Sequence, residues 1–251
     1  MRANKKIMTG AAPGGRHGVS AIGLMTCGGA LWFAAIAPAA AVETKASYPN
    51  MAPVGQYRIV SRSEEIALAR SAAPASIANG ADVMVLGDGG YETAAKGKNG
   101  FVCVVERSWG ASFNADEFWN PRIRAPICFN PAAARSVLAD YLQRTRWVLT
   151  GVSRSAMTAR TKAALAASTL PAPQPGAMCY MMSKQGYLSD ADGHWHPHLM
   201  FFLAHTDGAT WGADLEGSPV ITIQDDVEPL TTFLVPVAKW SDGTLAVMEM
   251  H

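Results

Sequence analysis

Residues 130–151 read NPAAARSVLADYLQRTRWVLTG, and this stretch decides the fold class. Asn130 offers a side-chain oxygen to cap the first free N–H groups of a helix, and Pro131 follows at the position where its fixed φ suits the helix and its missing donor costs nothing. Val137, Leu138, Tyr141, Leu142, Val148 and Leu149 then recur at helical spacing until Gly151. A second helix is expected over 155–167, halted before Pro171-Ala-Pro-Gln-Pro-Gly176, a stiff linker whose prolines fit neither a helix interior nor a central strand.

On either side of these helices the chain reads as strands. Residues 83–86, 91–95 and 101–107 are short apolar runs, punctuated by Asp88-Gly-Gly90 and Lys98-Asn-Gly100, and the Asn-Gly pair suits a type I′ hairpin, so a β-meander is expected. Before them Ser61 stands three positions ahead of Glu64, the spacing of a capping box, and opens a short helix that Pro74 stops. Residues 43–60 read as a surface arm and 111–129 as a long loop, since Pro121 and Pro126 interrupt any period. Beyond the linker, 178–187 and 194–204 form an expected hairpin closed by 189–193, and 219–224 and 231–237 add two strands. Strands in two runs with helices between them predict α+β, a mainly antiparallel sheet with two or three packed helices, rather than alternating βαβ units. Residues 42–251 are expected to make one globular domain.

The 251 residues are 49% hydrophobic and 16% charged with a formal net charge of +1, an ordinary core-forming composition. No basic excess points to nucleic acid, and no compositional bias points to disorder. The charge is unevenly placed. Arg2, Lys5, Lys6 and Arg16 are the charged side chains before Glu43, so the remainder carries 17 basic and 20 acidic residues. Polar residues through His17, an apolar stretch from Val19 to Pro38 and the run Ala37-Pro-Ala-Ala-Ala41 give the order of a secretory signal peptide, here residues 1–41. A membrane anchor is the competing reading, weakened by Ser20, Gly23, Thr26, Gly28 and Gly29 inside the apolar stretch. Cleavage leaves a periplasmic or secreted protein with no membrane span.

Export puts the chain where disulfides persist. Past the signal segment stand Cys103, Cys128 and Cys179, so one bridge is possible and one thiol is left over. Cys103 with Cys128 is the expected pair, because they flank one loop; three buried reduced cysteines is the alternative.

Chemistry is most concentrated in Gly193-His-Trp-His-Pro-His198. In an extended segment alternate side chains share a face, so His194, His196 and His198 would point the same way and could present imidazoles to a transition metal, Zn or Cu. Cys179, Asp190, Asp192 or His251 could supply a further ligand. A hairpin pairing Leu188 with His194 would set Lys184 opposite His198, and that cation would repel a metal. Two other readings therefore stay open: a metal-free envelope binding or structural module, and an exported enzyme using His198 or Lys184 as acid or base. Met178, Met181, Met182 and Met200 could offer thioethers to Cu(I), but Met more often fills core gaps. Arg122 and Arg124 beside Trp119 could hold an anion. Asp190-Ala-Asp192-Gly193 lacks the remaining oxygens of a calcium loop and reads as a turn. Familiar hydrolase and nucleotide-binding signatures are absent.

Lys98-NGFVCVVERSW109, Trp119-NPRIRAPICFNP131, Met178-CYMMSKQGYL188 and Gly193-HWHPHLMFF202 resemble an uncharacterised family of exported bacterial proteins. The resemblance covers a quarter to a third of the mature chain. It implies export and carries no activity, fold or catalytic residue.

Overall fold

The computed structural model of the protein describes residues 48–191 and 193–246; the signal segment 1–41, Asp192 and His251 lie outside the described residues. Eight strands, β1 (Asp82–Gly87), β2 (Gly90–Ala95), β3 (Val102–Glu106), β4 (Ala125–Phe129), β5 (Met178–Met181), β6 (His198–Ala204), β7 (Ile221–Gln224) and β8 (Leu230–Pro236), make one sheet in the order β2-β1-β3-β4-β5-β6-β8-β7. The fold is α+β and the sheet mostly antiparallel; β1 and β3 are its parallel pair. Helices are α1 (Arg62–Arg70), α2 (Ala75–Ala78), α3 (Pro131–Ala134), α4 (Val137–Leu149) and α5 (Arg154–Ala166). No helix among the described residues is long and apolar enough to cross a membrane.

Strand alternation sorts the core into two layers. Cys103 and Val105 of β3, with Cys128 of β4 and Val83 of β1, meet Ala69, Ala72 and Ala73 from α1 and the turn after it. Val104, Ile127, Phe129, Cys179 and Phe202 face the other way, onto Leu138, Tyr141 and Val148 of α4. Trp109 is fully buried in this second layer, and its indole N–H donates to Thr145 Oγ1 at 2.9 Å, which fixes α4 against the end of β3.

Local signals place the caps as expected. Ser61 accepts from the Glu64 N–H, Asn130 from Ala133 N–H, and Ser153 from Ala156 N–H, so the second helix starts at Arg154. The 130–151 stretch departs in one respect, breaking into α3 and α4 at Ser136. The Ser136 hydroxyl donates back to Ala132 O at 2.8 Å and accepts from Gln174 N–H at 3.3 Å, so the break is where the proline linker is tied down.

Three expectations are corrected. The meander fails because β1 stands between β2 and β3, and the Asn-Gly turn serves a crossover: Lys98 and Asn99 N–H both donate to Gly80 O. The crossover needs Gly97, where a Cβ would lie 2.1 Å from Gly80 O. The expected loop 111–129 hides β4, buried at every residue, with Pro126 inside it. Proline is tolerated there because Pro126 pairs with Val105 on one side only; pairing with β5 runs through Cys128 and Phe129. Last, β5 ends at Met181 and β6 starts at His198, and these two residues are partners, so Lys184 does not lie opposite His198. Lys184 instead pairs with Asp242 at 2.8 Å.

Candidate functional site

The histidine segment enters the sheet only at its last member. His194 is exposed and lies 5.6 Å from the Trp240 ring, His196 is half-buried, and His198 is buried at the start of β6. Residues 194–197 precede the strand, so the alternation that would align the three rings does not extend over them. Trp195 packs against both neighbours, 5.8 Å from the His196 ring and 4.8 Å from the His198 ring. His198 Nδ1 bonds the His196 carbonyl at 2.7 Å, and burial holds its pKa below the ordinary value. Among the described residues no three of His, Cys, Asp and Glu gather in a group that could hold a metal ion.

The other sequence candidates disperse. Cys179 is a buried free thiol whose pKa burial pushes well up, which makes it inert. Asp190 is the hub of a surface cluster: it accepts from Tyr48 at 2.5 Å and from Tyr187 and Asn120 at 2.8 Å, and Arg122 lies 3.4 Å away. These bonds, the Tyr48 hydroxyl first, hold its carboxyl below the usual range. Arg124 spends both Nη groups on the carbonyls of Pro121, Ile123, Gln56 and Arg58. Cys103 and Cys128 form the disulfide.

A different place in the fold collects chemistry. Between α4 and the sheet lies a cavity of ≈ 190 Å³. Its apolar wall is Ile127, Phe129, Val137, Met200, Phe202 and Leu230, and its polar wall includes Glu106, Asp140, Arg144, Glu228 and Thr232. Glu106 arrives there by strand phase, in step with the inward Val102 and Val104. A Cβ on Gly110 would come within 2.8 Å of Glu106 Oε2, so glycine leaves the space that the carboxyl occupies. No hydrogen bond reaches that carboxyl; burial pushes its pKa up to about 8 against the opposing pull of Arg144. Burial therefore favours the neutral form of Glu106.

Arg144 is the cation of this wall, its side chain 5% exposed. Nη1 donates to the carbonyls of Trp109 at 3.0 Å and Ala111 at 2.9 Å, and Nη2 to Asp140 at 3.1 Å and to Glu228. Its guanidinium lies 4.2 Å from the centre of the Phe113 ring. Arg144 Nε and Asp140 Oδ1 are buried without a hydrogen-bond partner. Glu228, on the turn between β7 and β8, is also pushed up to about 8, by burial first, with Asp140 and Asp225 adding to the rise and Arg144 opposing it.

Behind the cavity a second buried network is fully engaged. Arg107 donates to Glu65 at 2.8 Å, to Tyr57 O at 2.5 Å and to Val105 O, while Tyr141 bonds both Arg107 N–H at 2.8 Å and the Tyr91 hydroxyl at 2.9 Å. Tyr141 belongs to both, closing this network and lining the cavity. The Arg107 network is structural, with each of these side chains partnered.

Sequence reasoning did not single out Glu106, Asp140, Arg144 or Glu228. Two signals were available: an acidic residue in the inward phase of an apolar strand, and Asp140 and Arg144 one turn apart beside the apolar stripe of α4. Neither signal reveals an unfilled volume.

No protein-family model, curated protein or solved structure matches this chain.

Proposed function

We propose that this is an exported, disulfide-stabilised protein that binds a small organic molecule in the cavity between α4 and the sheet, without a metal ion. The observation that carries the reading is the Glu106 carboxyl, placed by strand phase on the wall of the ≈ 190 Å³ cavity and hydrogen-bonded to no other protein group there. Small-molecule sites are concave, mostly apolar spaces with a few polar groups turned into them, and this cavity has that form. Export is supported by the Cys103–Cys128 disulfide and by the signal-like order of residues 1–41. Glu106 would exchange hydrogen bonds, and where chemistry follows binding a proton, with the occupant.

A thermal-shift screen of compounds small enough for the cavity tests this, run on the wild type, on Val137→Phe, which fills the cavity, and on His196→Ala. The expected result is a compound that stabilises the wild type and His196→Ala and does nothing for Val137→Phe. Stabilisation lost in His196→Ala and kept in Val137→Phe would move the site to the histidine segment. A screen with no stabilising compound would end the proposal.

A further inference from the structure

Resting on the reading of this cavity as a ligand site, we infer that its occupant is a small apolar alcohol, one aromatic ring or one short carbon chain carrying a single hydroxyl. The cavity sets the size. An apolar space of roughly 150 Å³ holds benzene, so ≈ 190 Å³ has room for a six-carbon ring or chain with little added to it.

The walls set the polarity. Phe129 of β4 and Phe202 of β6 stand with ring centroids 6.3 Å apart, and Ile127, Val137, Met200 and Leu230 extend the apolar surface around them. The row that holds Phe202 continues outward across the sheet: Phe202 pairs with Thr232, and Thr232 with Ile223 on the edge strand β7. Ile223 lines the cavity and is 50% exposed, and Ile221, two residues away on the same face, is 36% exposed. Bare isoleucines on an edge strand are a liability in a monomer. At the rim of this cavity they give an apolar molecule a way in.

Glu106 sets the place of the hydroxyl. Asp140, Arg144 and Glu228 are engaged with one another, Arg144 Nη2 donating to both acids while Nη1 donates to the carbonyls of Trp109 and Ala111. Glu106 shares the wall with them and hydrogen-bonds to no other protein group. A hydroxyl donates to a carboxylate and accepts from a carboxyl, so it partners Glu106 in either protonation state. The Arg144–Asp140 ion pair puts both signs of charge on the same wall, so neither an ammonium nor a carboxylate group is favoured there, and burying either is costly.

Calorimetric titration of the untagged protein with 4-methylphenol and 1-hexanol tests the inference and separates a ring from a chain. Toluene is the ring without the hydroxyl; hexylamine, sodium hexanoate and glycerol are the counter-probes. The expected result is saturable binding of at least one of the two alcohols, weakened at least tenfold in Glu106→Leu and largely kept in Glu106→Gln, whose amide still donates and accepts. If the ring form binds, 4-methylphenol should bind the wild type more tightly than toluene, and the order should reverse in Glu106→Leu, where the hydroxyl is buried without a partner. Toluene binding to Glu106→Leu also reports that the cavity persists in that variant, and the wild-type comparison with toluene stands without any substitution. Affinity for both alcohols unchanged in Glu106→Leu, or tighter binding of hexylamine, hexanoate or glycerol than of either alcohol, would overturn the inference. Failure of every probe, while the screen above still finds a compound sensitive to Val137→Phe, would overturn the ligand class and leave the cavity reading standing. Failure of both experiments would end both.

Discussion

Glu65 and Arg107 form an ion pair almost wholly removed from water: the carboxylate accepts from Nη2 at 2.8 Å, and the two side chains are 2% and 0% exposed. The same Oε1 accepts from Leu86 N–H at 3.1 Å, so one carboxylate joins α1 to β1 and to the end of β3. Desolvating two charges is costly, and the pair holds because further partners satisfy both groups.

Removing one partner strands the other charge. Glu65→Gln should cost about 3–5 kcal/mol, the range for an uncompensated buried charge, read by urea unfolding. Replacing both residues with Met should cost less than the sum of the single changes. Additive losses would show that the two side chains do not act as a pair.

The disulfide predicts a second loss. Cys103 and Cys128 are register partners on β3 and β4 with Cα atoms 4.0 Å apart, at a sequence separation of 25. Closing a loop of that size constrains the unfolded chain by about 3 kcal/mol, so Cys103→Ser with Cys128→Ser should lower stability by that order. Non-reducing peptide mapping should find Cys103 linked to Cys128 and Cys179 alkylated only after unfolding. A Cys179-containing bridge would refute the pairing.

Legibility followed locality. Helix caps rest on one side chain and an N–H three residues on, so Ser61 and Asn130 announced their helices; the Cys pairing was also anticipated, although from loop closure rather than from its cross-strand register. Strand β4 was hidden because its proline reads as a breaker, and only its neighbours show that Pro126 sits where pairing is one-sided. The insertion of β1 between β2 and β3 is a non-local choice that an Asn-Gly turn cannot report. The cavity was the least legible feature. It exists where Glu106, Asp140 and Arg144, and Glu228 converge from three separate stretches of chain, and a volume left unfilled has no residue of its own.

Glu106 makes stability fall as pH rises. A carboxyl whose folded pKa is about 8 against an ordinary 4.5 holds its proton more tightly folded than unfolded, so its contribution is fully present below 4.5 and is lost as pH rises through about 8. Glu106→Gln keeps the neutral shape and removes the titration. It should match the wild type at pH 5 and exceed it at pH 9 by about 1–3 kcal/mol, read as the difference between two melting curves at each pH. Equal differences at both pH values would mean that Glu106 ionises normally.

His198 carries the opposite sign, and this separates it from a metal ligand. Burial lowers its folded pKa from 6.5, so the unfolded chain binds the proton more readily, and the stability His198 supplies is present above 6.5 and lost as pH falls below it. His198→Leu should therefore flatten the acid side of the stability profile, whereas His196→Ala, which removes a half-buried ring, should leave both midpoint and profile nearly unchanged. A shared metal would couple the residues: either substitution would release the ion and lower stability together. Because the strand begins only at His198 and no group of three possible ligands gathers among the described residues, untagged protein should carry no stoichiometric zinc or copper by elemental analysis. One equivalent of metal lost in His196→Ala would reverse this assignment and return the chemistry to the segment at 194–198.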